Sequence, residues 1–149
     1  MLVARSDLSE SKLIWRLGIG GLIPFYGTLV LVTLTGAETF WLTSQTIYAA
    51  LIISFIGAVY WGLSLYNNQL EHKIRVYFLL YGVTPALFAW GILLLPLNFR
   101  FGPLSALLCA CLAADALFRS YHSKAWIRVR ICLTLGGSAS LLLSQYLYT

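Results

Sequence analysis

Five apolar runs, roughly residues 13–35, 44–66, 76–95, 103–118 and 128–147, follow one another with only short joints between them. A helix rises about 1.5 Å per residue, so ~20 apolar residues cross the hydrocarbon core of a bilayer. Runs of this length, repeated this often, leave few folds open. Composition points the same way: 60% of the residues are hydrophobic, 10% are charged and the mean hydropathy is +0.82, outside the range of soluble domains. The chain is read as an all-α, polytopic membrane helix bundle of five transmembrane helices, one transmembrane domain over residues 1–149, with the lipid bilayer as its solvent. Its joints are too short for a soluble catalytic domain, so any chemistry belongs inside the bundle or on its rims.

The joints carry nearly all the charge, and its distribution gives the bundle a direction. The N-terminal segment holds Arg5, Lys12 and Arg16, Lys73 and Arg75 fill the second joint, and Arg119, Lys124, Arg128 and Arg130 fill or follow the fourth. Only Arg100 falls on the other side if the spans alternate. Cytoplasmic joints are enriched in Lys and Arg, which places the N-terminus inside and the C-terminus outside, as in a multi-pass protein of a bacterial inner membrane. The first run is too long for a signal-peptide core and is expected to be retained. Asp7 and Glu10, spaced as a capping box, predict a helix start just ahead of Leu13.

A net charge of +5 could suggest nucleic acid, but the cations border spans and do not line a polar face. They read as partners of anionic headgroups. Cys109 and Cys111 are two apart on a helix and face different ways, and with Cys132 they read as inert buried thiols. His72 and His122 have no second ligand close in sequence, so neither metal nor cofactor is expected.

Inside the runs, the small residues carry the next layer of information. Helices associate in lipid by close backbone approach, which small residues at four-residue spacing allow. Such rows are Ala50, Ser54, Ala58 and Gly62; Ala106, Ala110 and Ala114; Gly136, Ser140 and Ser144; and Gly82 and Ala86 leading to Trp90. The stretch SFIGAVYWGL (54–63) reads as a packing face. In the alternative, Ser54, Gly57, Tyr60, Trp61 and Trp90 line a pocket for a lipid or quinone. Pro24 and Pro85 fall inside runs and predict kinks; Pro96 and Pro103 mark a turn. The low polarity excludes a wide aqueous pore.

One acidic residue lies within a run. Asp115, in LLCACLAADALFRS, sits about a turn inside the inner end of the fourth span, where an unpaired carboxylate is costly. Arg119 follows it by four residues, and a hairpin of the last two spans would return Arg128 or Arg130 to its level. The expectation is an ion cluster of Asp115, Arg119, Arg128 and Arg130 acting as a structural clamp or as a site, with Trp126 at the interface beside it. No chain of titratable groups links Asp115 to Glu38 on the opposite side, which argues against proton pumping.

GLIPF (21–25), SFIGAVYWGLSL (54–65), TPALFAWGILLLP (84–96), Asp115 and AWIRVRICLT (125–134) together resemble a family. It is that of small bacterial inner-membrane proteins of unknown function, which also includes mitochondrial transmembrane protein sixty-nine. The resemblance spans Leu17 to about Leu135, with one departure: the family has histidine where this chain has Tyr60. It implies a polytopic inner-membrane protein, draws attention to Trp61, Asp115, Trp126, Arg128 and Arg130, and supplies no reaction. The expected role is a non-enzymatic accessory or assembly partner of a larger membrane complex, bound to another membrane protein or to a second copy of itself. A binder or transporter of a lipid or quinone is the alternative.

Overall fold

A segment buried in lipid has no water for its amides, and a helix satisfies them within the segment itself. In the computed structural model, each run is helical. The structure describes the backbone of residues 3–67, 69–121 and 123–148, and the side chains of the same residues from 12 onward. The helices are α1 (Val3–Gly20), α2 (Ile23–Thr35), α3 (Glu38–Tyr66), α4 (His72–Leu93), α5 (Phe101–Leu117) and α6 (Lys124–Tyr148), with single 3-10 turns at Leu97–Phe99 and Arg119–Tyr121. Among the described residues there is no strand. Five stretches are long and apolar enough to cross a membrane: Lys12–Thr35, Glu38–Tyr66, His72–Leu93, Leu97–Leu117 and Lys124–Tyr148.

The ends of the helices follow from local chemistry. Gly36 closes α2 in the left-handed region at φ 66°, where a side chain is disfavoured, and its N–H reaches Val32 O at 2.9 Å. Asn67 ends α3 and turns its side-chain oxygen back onto the Gln69 N–H at 3.1 Å. α4 stops ahead of Pro96, and Pro103 sits in the first turn of α5, where its missing N–H leaves nothing unpaired. Hydroxyls in the spans bond to their own helix, as Ser54 does to Ala50 O and Thr84 to Leu80 O, each at 2.8 Å.

Two expectations about the first span change. α1 is already helical at Val3, so Asp7 and Glu10 do not mark its start; nothing upstream of them breaks a helix. Pro24 does not kink a continuous helix. The chain leaves α1 at Gly20, turns through Gly21 and Leu22, and enters α2 with Pro24 in its first turn. The Gly20–Gly21 pair has low helix propensity and yields first. Pro85, by contrast, is buried inside an α4 that runs unbroken.

α3, at 29 residues, packs against α2, α4, α5 and α6. Its buried face is Leu42, Gln45, Thr46, Ala49, Ala50, Ile53, Ile56, Gly57, Tyr60 and Ser64. The small-residue row therefore runs partly off the packing face: Ala50 is buried, Ser54 half-buried, and Ala58 and Gly62 exposed. Ala106 and Ala110 on α5 are exposed as well, as is Trp90 on α4. Four-residue spacing defines a face but not the neighbour it meets. The close approach between α3 and α4 comes instead from Gly57 against Gly82: a Cβ built on Gly57 would lie 2.5 Å from Gly82 O. Trp61 lies over Gly82 and donates its indole N–H to Leu79 O at 2.8 Å.

Candidate functional site

The helical repeat puts Leu104, Leu108, Cys111 and Asp115 on the buried face of α5. The α5–α6 hairpin, closed by the Arg119–Tyr121 turn, returns Arg130 to the level of Asp115. Tyr60 arrives from α3, one turn beyond Gly57. Asp115 is fully buried and each of its oxygens has a donor: Tyr60 Oη donates to Oδ1 at 2.8 Å, and Arg130 Nε to Oδ2 at 2.6 Å. Arg130 is 3% exposed, so both charges are shielded from solvent. The pair's attraction is strong there, but so is the desolvation that opposes it, and geometry this complete is what lets such a pair persist.

Aromatic rings seal this end of the bundle. Tyr60 meets Phe78 at 5.0 Å and Tyr81 at 4.7 Å between centroids, both edge to face. Phe118 meets Phe78 at 5.2 Å and Tyr77 at 5.0 Å. The expected four-residue ion cluster resolves into one pair. Arg119 lies in the 3-10 turn and Arg128 on the outer face of α6, both exposed, because a two-residue step on a helix turns Arg128 away when Arg130 points inward. Trp126 is half-buried in the first turn of α6, its backbone N–H on Ser123 Oγ at 3.1 Å. The five residues expected to form a packing or ligand face are dispersed: Gly57 and Tyr60 are buried, Ser54 is half-buried, and Trp61 and Trp90 are 45% and 62% exposed.

A second buried polar node went unread in the sequence. Gln45 Nε2 donates to Phe25 O at 3.0 Å and to Ser140 Oγ at 2.9 Å, while Ser144 Oγ donates to Gln45 Oε1 at 2.6 Å. Ser140 Oγ in turn donates to Phe25 O at 2.9 Å. All three side chains are fully buried, so this network joins α2, α3 and α6 through the apolar core. The signal available was one amide inside an apolar run. Tyr48 adds a further link, its hydroxyl donating to Gly21 O at 3.0 Å, beside the break in the first span.

The arrangement holds charge and shape. Asp115 is committed to two donors, the Tyr60 hydroxyl and the Arg130 guanidinium. Among the described residues no group of three His, Cys, Asp or Glu side chains could hold a metal ion. His72 is exposed, and His122 lies outside the described residues. Cys111 is buried, whereas Cys109 and Cys132 are exposed, so the three thiols do not share one burial class.

The chain matches the family described as protein of unknown function DUF3429 over residues 11–146, and it belongs to that family. No curated protein and no solved structure matches it.

Proposed function

We propose that this DUF3429 protein is a non-enzymatic accessory or assembly partner of a larger membrane complex. In this reading it sits in a bacterial inner membrane with its N-terminus inside and its C-terminus outside, as the bias of its cations toward alternate joints suggests. The kinship with mitochondrial transmembrane protein sixty-nine belongs to the same proposal and rests on the shared motifs.

The observation that carries the reading is where the small residues are not used. Ala58 and Gly62 form an exposed strip of α3, and nothing lies within 4 Å of a Cβ built on Gly62. A small-residue strip facing lipid is the surface on which another transmembrane helix approaches closely. The carboxylate of Asp115 and the amide of Gln45, the centres of the two nodes, are each held by neighbouring side chains in structural contacts. The test is purification in mild detergent of wild type and of Ala58→Leu/Gly62→Leu, with native mass and thermal stability measured on both. The expected result is a wild-type assembly with a stoichiometric second chain, lost in a variant that melts like wild type. A wild type that is monomeric and partner-free, or a variant that keeps its partner, overturns the reading.

One observation favours the second reading, a binder of a lipid or quinone. A recess of about 140 Å³ lies between α4 and α5, lined by Tyr81, Pro85, Phe88, Leu107, Ala110 and Cys111. It is a different place from the face around Trp61 that the sequence suggested. Ala110→Leu fills it, and bound lipid or quinone that survives this change counts against the reading.

A further inference from the structure

Arg130 commits Nε to Asp115, but its Nη2 has no hydrogen-bond partner among the described residues, and neither has Thr134 Oγ1 one turn further along α6. The two residues are 3% and 1% exposed. Both border a cavity of about 30 Å³ whose opposite wall includes Gly21, Leu22 and Phe25, the broken turn of the first span and the start of α2. The two unpaired groups belong to residues that line the same, otherwise apolar cavity, and native interiors rarely leave such groups unpaired.

We propose that this cavity binds a single water molecule, which accepts from Arg130 Nη2 and exchanges a hydrogen bond with Thr134 Oγ1. Size and charge select the occupant. About 10–15 Å³ of such volume suffices for one water, so the cavity holds one, at most two, and is too small for a ring or a headgroup. An anion is disfavoured because Asp115 already neutralises Arg130 at 2.6 Å, and a further negative charge would be buried without a counterion. A neutral molecule that both donates and accepts is what the two groups can use. The inference stands independently of whether the protein has a membrane partner.

Radiolytic hydroxyl-radical labelling of the intact protein in detergent tests it, because radicals formed from a bound water mark the side chains beside it. Phe25 borders the cavity; Phe78 and Phe101 are fully buried and do not. The expected result is labelling of Phe25 several-fold faster than of Phe78 or Phe101. That excess should disappear in Thr134→Val, which keeps the shape and removes the hydroxyl, and persist in Thr134→Ser. Equal labelling of the three rings in wild type overturns the proposal, as does an excess that survives Thr134→Val. The wild-type comparison decides the matter even if the variant fails to fold.

Discussion

Asp115→Asn removes the charge from a buried pair and, with it, one acceptor. The amide oxygen can accept from Tyr60 or from Arg130 but not from both, because the NH2 that replaces the other oxygen only donates, so the substitution leaves Arg130 without a counter-charge and one donor without its acceptor. Breaking a buried ion pair by neutralising one partner destabilises by about 3–5 kcal/mol, because the other charge stays buried without compensation. Two features pull the figure toward its lower end. Arg130 is six residues past Lys124, the start of α6, or about 9 Å along the axis, and a guanidinium at that depth in a separated helix can snorkel toward the interface. Polar contacts in membrane proteins also measure weaker than burial suggests, since the unfolded state in lipid finds partners too. With about 2–4 °C per kcal/mol for a chain of this size, the melting temperature in mild detergent should fall by about 6–20 °C. Replacing the whole unit by apolar groups, Tyr60→Phe/Asp115→Leu/Arg130→Met, leaves neither a charge nor an orphan hydroxyl and should melt above Asp115→Asn. An Asp115→Asn protein within about 2 °C of wild type, or a triple variant that melts below it, refutes the reasoning.

Two further substitutions probe the packing and the second polar node. Gly57→Val sets a side chain against the Gly82 backbone, which cannot move as a side chain would, and should destabilise by about 1–3 kcal/mol, with Gly62→Ala near neutral as its control; equal melting of the two variants contradicts the close approach. Gln45→Leu leaves Ser144 without its amide partner and Phe25 O with one donor fewer, and should cost about 1–2 kcal/mol in detergent unfolding titrations; an unchanged unfolding midpoint means the network adds nothing.

Hydropathy made the five spans legible because each run must satisfy its own backbone, and their limits moved by only a few residues. Expected 44–66 became Glu38–Tyr66 since Glu38, Thr39 and the Phe40–Trp41 pair extend the helix ahead of the apolar run. Asp115 was legible for the same reason, a charge in lipid being conspicuous, and a hairpin geometry narrowed its partner to Arg128 or Arg130. Which of them turned inward depended on the rotation of α6, which a short charged segment does not fix. Tyr60 was harder to read. In the sequence it is the neighbour of a tryptophan, and only the placement of α3 against α5 makes it the second donor to Asp115. Gln45 went unread because one amide in an apolar run looks incidental until Ser140 and Ser144 meet it from a helix about a hundred residues away. The small-residue rows misled because spacing constrains a single helix, whereas burial depends on what stands opposite.

The first span is broken, and its second half, α2, has 13 residues, about 20 Å of helix, too short alone for a hydrocarbon core of ~30 Å. What steadies it comes from the next helix and from the last: Gln45 of α3 and Ser140 of α6 hold Phe25 O, and Tyr26 Oη donates to Gly136 O at 3.1 Å. During synthesis α3 can dock on α2 as soon as it emerges, whereas the bonds that Tyr26 and Phe25 O make to Gly136 and Ser140 wait for α6, so the first segment is fastened in two stages, early by its neighbour and late by the last helix.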